Sequence, residues 1–219
     1  MEFELRELSA DDSCNALSLG DEEFRPLKTF LRKDAKRLHL GNLARTFVLV
    51  EQDKRRVYAY ITTVCTHIAV EKFTAGNPVD DENYRYDDYP AVKLARLAVD
   101  ESLKLQSIGS QLVDFVVGLA IDFIMPHAGC RFMVVDAKAK SVAFYLKKGF
   151  VRVGEPATEA IGAEPVSKNQ TRPPDQAAGA AEAADRQHTT MFIDLHRLPA
   201  AQEQASQPRR YTLKSPARN

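Results

Sequence analysis

The chain has 219 residues, 30 Lys plus Arg against 30 Asp plus Glu, a formal net charge of zero and 44% hydrophobic residues. That size and mix suit one globular domain with appendages, large enough to bury a core without staples. The neutral balance excludes nucleic-acid binding through a globally basic surface, and three scattered cysteines (Cys14, Cys65, Cys130) exclude a disulfide framework and suit reduced thiols in a cytosol.

No CxxC or HxxxH spacing offers a metal site. The alternating, acidic start Met1-Glu2-Phe3-Glu4-Leu5-Arg6 does not read as a signal peptide. Phe3 to Leu8 alternates apolar and charged residues, as a half-buried strand does. After the turn-rich 9–13 segment, Leu27, Phe30, Leu31, Ala35 and Leu38 form one apolar stripe, predicting a helix that Pro26 opens and Gly41 closes. Between Arg25 and Arg45 lie seven basic residues and one acid, Asp34, a local charge of +6. Such a run is either a solvated helix face or a track for a phosphate backbone.

Arg45 to Glu51 and Val57 to Val70 read as strands joined through the polar 51–56 run. Gly76 to Tyr89 is a polar loop with five acids and one Arg. Ala91 to Val99 is a strand. Ile108, Leu112, Phe115, Val116, Leu119 and Phe123 predict a strong helix ending before Pro126. The most apolar stretch, Ile108 to Met125, carries Asp114 and Asp122, which argues for a core helix rather than a membrane span, so a cytoplasmic protein with no membrane partner is expected. Phe132 to Val135 is a fully apolar strand, as at the centre of a sheet. Ser141 to Lys148 is a short helix closed by Gly149, and Phe150 to Val153 a strand.

Glu155 to His188 is rich in Ala, Pro, Gln and Glu and poor in large apolar residues, which marks a mobile insertion. Thr189 to Leu195 returns as a last strand. The predicted organisation is one domain over 1–154 and 189–198, an Ala/Pro-rich insertion over 155–188 and a polar basic tail over 199–219. The fold class is α+β, a mixed and mostly antiparallel sheet flanked by helices.

The chemistry concentrates where the strand ending at Val99 passes through a short loop into the helix at Ile108. The first amides of that helix lack intrahelical partners and, with the helix dipole, suit an anion such as a pyrophosphate; Gly109 permits close backbone approach. By spacing alone the same stretch is an ordinary strand–turn–helix connection.

The segment Lys104-Leu105-Gln106-Ser107-Ile108-Gly109, following Leu97-Ala98-Val99, resembles the acetyl-CoA loop Arg/Gln-x-x-Gly-x-Gly/Ala of the GCN5-related N-acetyltransferases (GNATs). Only the final glycine is kept; Lys104 stands for Arg or Gln, and Ser107 for the inner glycine. Downstream, Ser141-Val142-Ala143-Phe144-Tyr145-Leu146-Lys147-Lys148-Gly149-Phe150 is similar to the family's A-x-x-F-Y-x-K-x-G-F, and Met191 to Leu195 to its last strand. The run Phe24 to Ala35 and the following Arg45 to Glu51 resemble the branch of toxins that acetylate aminoacyl-tRNA.

The resemblance implies transfer of an acetyl group from acetyl-CoA to a primary amine. It implies that Leu97, Ala98 and Val99 bind pantetheine as another strand would, the Leu97 N–H polarising the carbonyl. It further implies that Gln106, Ser107, Ile108, Gly109 and Ser110 hold the pyrophosphate with Lys104 as a point charge, that Leu105 and Ser141 also belong to the acetyl-CoA site, and that Tyr145 is the general acid. No dedicated base is legible. Asp136 is read as a strand-end cap or a water-positioning group, and His39, His67, His127 and His188 receive no role. An α-amine, with a reference pKa of about 7.7–8.0 against about 10.4 for lysine, needs least help from a base. Implied partners are aminoacyl-tRNA, an antitoxin and a second copy, since many members pair through their later strands. Two other readings stay open: an acetyltransferase of small amines drawn by Asp80, Asp81, Glu82, Asp87 and Asp88, and a non-catalytic binding module with a degraded acetyl-CoA loop.

Overall fold

The computed structural model describes residues 3–51, 55–73, 79, 84–104, 106–154 and 188–199. Its elements are β1 (Phe3–Glu7), α1 (Arg25–Lys33), α2 (Ala35–Leu40), β2 (Arg45–Glu51), β3 (Val57–Ala69), β4 (Asp88–Val99), α3 (Ile108–Leu119), a π-helical turn (Ala120–Ile124), α4 (Met125–Ala128), β5 (Phe132–Lys138), α5 (Ala139–Lys147), β6 (Val151–Arg152) and β7 (His188–Asp194). They form one seven-stranded sheet in the order β1-β2-β3-β4-β5-β7-β6, in which only β4 and β5 run parallel. This is the mixed, mostly antiparallel α+β sheet that the element order predicts.

Alternation along the strands sends side chains to two buried layers. Phe47, Ile61, Val92, Leu94, Met133, Val135, Met191 and Ile193 pack with Leu112, Val113 and Val116 of α3 and Tyr145 of α5. Val48, Val50, Tyr60 and Ala98 face the other way, with Leu31 of α1 and Ala35 of α2. On that same side, Ala91, Phe132, Val134 and Phe192 gather around Phe73 and Tyr89. Burial of both faces explains why 132–135 is apolar without interruption. β4 changes parity along its length: Thr62 pairs with Arg96 but Thr63 with Leu94, leaving Ala95 as a bulge. Val92 and Leu94 therefore share a layer with Leu97 and Val99, and Arg96 turns toward α1 with Ala98.

Three elements depart from the sequence pattern. The helix predicted from Pro26 to Gly41 breaks at Asp34, whose N–H closes α1 on the Phe30 carbonyl. Lys36 donates to the Ala10 and Asp12 carbonyls, and buried His39 accepts the Thr46 N–H at Nδ1 (3.2 Å), so α2 is drawn onto its own neighbours. His39 thus has a structural role, and burial together with Arg45 holds its pKa below the usual value despite nearby Glu7. The long helix passes through Pro126 rather than ending before it. A π turn, in which the Met125 N–H reaches the Ala120 carbonyl, resets the hydrogen-bond ladder ahead of the residue that cannot donate. The span Ile108–Ala128 is long and apolar enough to cross a membrane, and here its inner stripe is seated in the main core. Finally, β4 begins at Asp88, inside the segment read as loop, pairing Ile68 with Tyr89. The insertion, apart from His188, and the tail, apart from Pro199, lie outside the described residues, as do Asp80, Asp81 and Glu82 of the acidic loop.

Candidate active site

β4 and β5 pair over only three registered positions, Ala91 with Phe132 to Lys93 with Val134. Beyond Lys93 the strands part: β4 stays with β3, and β5 stays with β7. The edge of Leu94 to Val99 that faces β5 is left with no strand partner there. A cavity of about 450 Å³ opens between the two arms. β4 gives it Lys93 to Leu97 and β5 gives Val135 to Lys138. Ser141 and Tyr145 come from α5, and Phe24, Pro26 and Leu27 from the start of α1. His188, read as part of the insertion, is instead the first residue of β7 and lines the same cavity.

Tyr145 owes its position to the way α5 ends. Gly149, at φ +83°, donates to the Leu146 carbonyl while the Phe150 N–H reaches back to the Tyr145 carbonyl. This is a Schellman closure, and its usual apolar contact is present: the Phe150 and Tyr145 rings meet edge-on at 5.5 Å. The Phe144 ring also meets it edge-on, at 5.0 Å. Tyr145 is both packed into the core and part of the cavity wall. Burial pushes its phenol up to about 12, which keeps it a proton donor throughout the physiological range.

The tip of α3 sits beside the open edge of β4. A Cβ at Gly109 would lie 3.7 Å from Val99 Cγ2 and 3.8 Å from Phe144 Cζ, ordinary contacts that wedge the helix start between β4 and α5. Ser107 precedes the helix at φ +57° without a side-chain cap, so no side chain of its own covers the leading amides. A left-handed residue at this point is why glycine suits it, and serine there carries strain of about 1 kcal/mol. Ser107→Gly is therefore expected to raise stability by about 0.5–1 kcal/mol, read as a higher melting temperature; an unchanged or lower one would remove the strain. Ser110 accepts a hydrogen bond from Lys148 Nζ (2.9 Å), and Lys148 also pairs with Asp114 (2.5 Å). Sequence reasoning overlooked Lys148, although it stands in the quoted A-x-x-F-Y motif.

The other named residues divide. Leu97 lines the cavity, whereas Ala98 is buried toward α1. Lys104 and Gln106 are exposed, Lys104 beside Glu101 and Gly20, and Ile108 is half-buried; Leu105 lies outside the described residues. Asp136 is neither a simple cap nor free: Lys93 Nζ donates to its Oδ2 and the Thr190 hydroxyl to its Oδ1 (2.9 Å). Burial alone would raise its pKa, but the Lys93 ammonium and the Thr190 hydroxyl outweigh it and hold the carboxylate low.

Basic residues surround the mouth. Arg96 lies over the Phe30 ring at 5.3 Å, and Lys138 over the Phe24 ring at 5.6 Å. Within the 25–45 basic run, Arg25, Arg37 and Arg45 are paired with Glu22, Asp34 and Glu7, and Lys36 is spent on carbonyls. Lys28, Arg32 and Lys33 on α1 have no ion-pair partner among the described residues. Four of the seven are thus engaged locally, and the other three form a smaller cationic face on α1, whose start lines the cavity.

No protein-family model matches the chain, and no curated protein matches it in sequence. Solved structures do match in shape. AtaT complexed with acetyl-methionyl-tRNAfMet superposes with a TM-score of 0.64 at 21% identity, covering 88% of this chain and 95% of that one. A Tyr-to-Phe mutant of KacT gives 0.63 at 24% identity over 71% and 90%. A Tyr-to-Phe mutant of the AtaT toxin, bound to the C-terminus of the antitoxin AtaR and acetyl-CoA, gives 0.60 at 18% identity over 94% and 99%. At these identities the likeness shows the fold: this chain has the GNAT fold, which it shares with AtaT and KacT.

Proposed function

We propose that the chain is an N-acetyltransferase that moves an acetyl group from acetyl-CoA to the α-amine of an aminoacyl-tRNA, acting as the toxin of a toxin–antitoxin pair in the cytoplasm. The observation that carries the reading is the cavity between β4 and β5, with buried Tyr145 in its wall and the tip of α3 at the end of β4. The likeness to AtaT, seen with acetyl-methionyl-tRNAfMet and with acetyl-CoA and an antitoxin segment, supports the choice of donor, acceptor and partner. Three free cysteines suit a reducing compartment.

The open edge of Leu97 to Val99 would hold the pantetheine arm, and the amides from Ser107 to Ser110 the pyrophosphate, with Lys148 close by as a cation. Acetyl-CoA, when bound, supplies an activated acetyl thioester. With it bound, the neutral acceptor amine would attack the acetyl carbon, the Leu97 N–H would stabilise the charge gathering on the carbonyl oxygen, and as the C–S bond breaks Tyr145 would give its proton to the departing sulfur and be restored by the proton lost from the acylated nitrogen. Lys28, Arg32, Lys33 and Arg96 would meet acceptor-strand phosphates, so binding should weaken steeply with salt.

The test is incubation of purified protein with acetyl-CoA and a pool of charged tRNA, followed by nuclease digestion and mass spectrometry of the aminoacyl-adenosines. N-acetylated species are expected. Transfer to small amines alone would favour the small-amine reading; binding of acetyl-CoA with no transfer would favour the binding module.

A further inference from the structure

We propose that the Lys93–Asp136 pair is an acceptor filter: by occupying the cavity's carboxylate it bars amines that carry a second positive charge and admits those flanked by neutral or apolar groups. This deepens the transferase reading and rests on it. Asp136 is the one carboxylate among the described residues lining the cavity, and each of its oxygens is already engaged, one by Lys93 and one by Thr190. The pair also stands at the fork, since Lys93 is the last β4 residue paired with β5.

The remaining charged and titratable groups on the walls are Arg96 of β4, Lys138 of β5, Tyr145 of α5 and His188 of β7; α1 and the turn before it contribute Phe24, Pro26 and Leu27. Lys138 is balanced by Glu23, which takes its Nζ on the backbone carbonyl (3.0 Å) and lies 3.7 Å away through its carboxylate. Arg96 donates to the Ala95 carbonyl (2.6 Å) and has no carboxylate partner among the described residues. With Lys93 and Asp136 cancelling each other, the field an acceptor meets is positive.

Two consequences follow from that field. A cationic side group next to the reacting amine is repelled, with discrimination on the order of a hundredfold for one unbalanced charge in a partly buried site. The reacting amine itself is pushed toward its neutral, nucleophilic form, which lessens its need for a base. Lys93→Met leaves Asp136 as an uncompensated anion and reverses both effects.

The experiment compares kcat/KM for leucyl-tRNA and lysyl-tRNA, and for phenethylamine and spermidine, from pH 6 to 9. Wild type is expected to favour the neutral member of a pair by about a hundredfold. Lys93→Met should narrow that gap at least roughly tenfold and move the acid limb of the profile to higher pH, because a nearby carboxylate stabilises the acceptor ammonium. The double variant Lys93→Met/Asp136→Asn replaces the charged pair by a neutral one and should keep the wild-type preference, which guards against misfolding of the single variant. Equal use of both members by wild type, or an unmoved ratio and limb in Lys93→Met with the acetyl-CoA titration intact, would overturn the filter. Transfer to the small amines but to no tRNA would sink the tRNA reading while the phenethylamine-to-spermidine ratio still decides the filter. Transfer to no amine at all would overturn both.

Discussion

Tyr145→Phe should lower turnover by about a hundredfold to ten-thousandfold, the range spanned by a positioned general acid, while acetyl-CoA affinity stays within about twofold. The substitution removes one oxygen and keeps the ring, so the edge-on contacts with Phe144 and Phe150 survive and the melting temperature should hardly move. Because burial places the phenol at about 12, the wild-type rate should show no alkaline decline from this group below about pH 11. Turnover is measured by thiol release from acetyl-CoA and affinity by titration calorimetry. Full activity in Tyr145→Phe would leave the ring as packing and remove the proton donor from the mechanism.

Asp100→Ala should cost about 2–4 kcal/mol of stability. Asp100 is buried at the end of β4, where its side chain accepts the Ser18 N–H (2.8 Å), the Ser102 N–H (3.0 Å) and the Ser102 hydroxyl (2.7 Å), with Arg56 at 3.5 Å. It ties the connection between β1 and α1 to the loop that leads to α3. Truncation strands two backbone donors and leaves Arg56 without its anion. The pKa of this carboxylate is depressed: burial would raise it, but the Ser18 and Ser102 donors and Arg56 prevail. Asp12 behaves alike, depressed by a two-point Arg6 contact (2.6 and 2.8 Å) and the Ser9 N–H against the opposing effect of burial. Both carboxylates bind protons more weakly folded than unfolded, so their stabilisation is complete above the ordinary aspartate value near pH 4 and fades as pH falls through the folded values. Chemical denaturation between pH 7 and pH 3 checks both points. Asp100→Asn should flatten the acid-side loss, and an unchanged slope would remove Asp100 from the linkage.

Much of this molecule can be read along the chain because its signals are local. Alternation in Phe3 to Leu8 and in Arg45 to Glu51, and the apolar run Phe132 to Val135, follow directly from one or two buried faces. The glycine after Lys148 announces a left-handed helix closure, and with it the Phe150–Tyr145 contact. The acceptor filter was hidden for the opposite reason. Lys93 and Asp136 are each visible as a polar residue in a strand, but only the parallel β4–β5 register brings them together. The break at Asp34 comes from capping by Lys36 and His39 of groups distant in sequence, and the passage through Pro126 from a π turn that periodicity does not encode. His188 was hidden by composition: it follows a polar, Ala-rich stretch yet pairs with Lys138 as the first residue of β7.

The central claim is that the parted strands and the tip of α3 cradle acetyl-CoA, and calorimetric titration of the purified protein with acetyl-CoA, paired with a melting curve, tests it most directly. The account predicts one site per chain and, at a ligand concentration a hundred times Kd, stabilisation by about 2.7 kcal/mol, which for a domain of this size raises the melting temperature by roughly 5–10 °C. No binding heat and an unshifted melting curve at millimolar acetyl-CoA would contradict it.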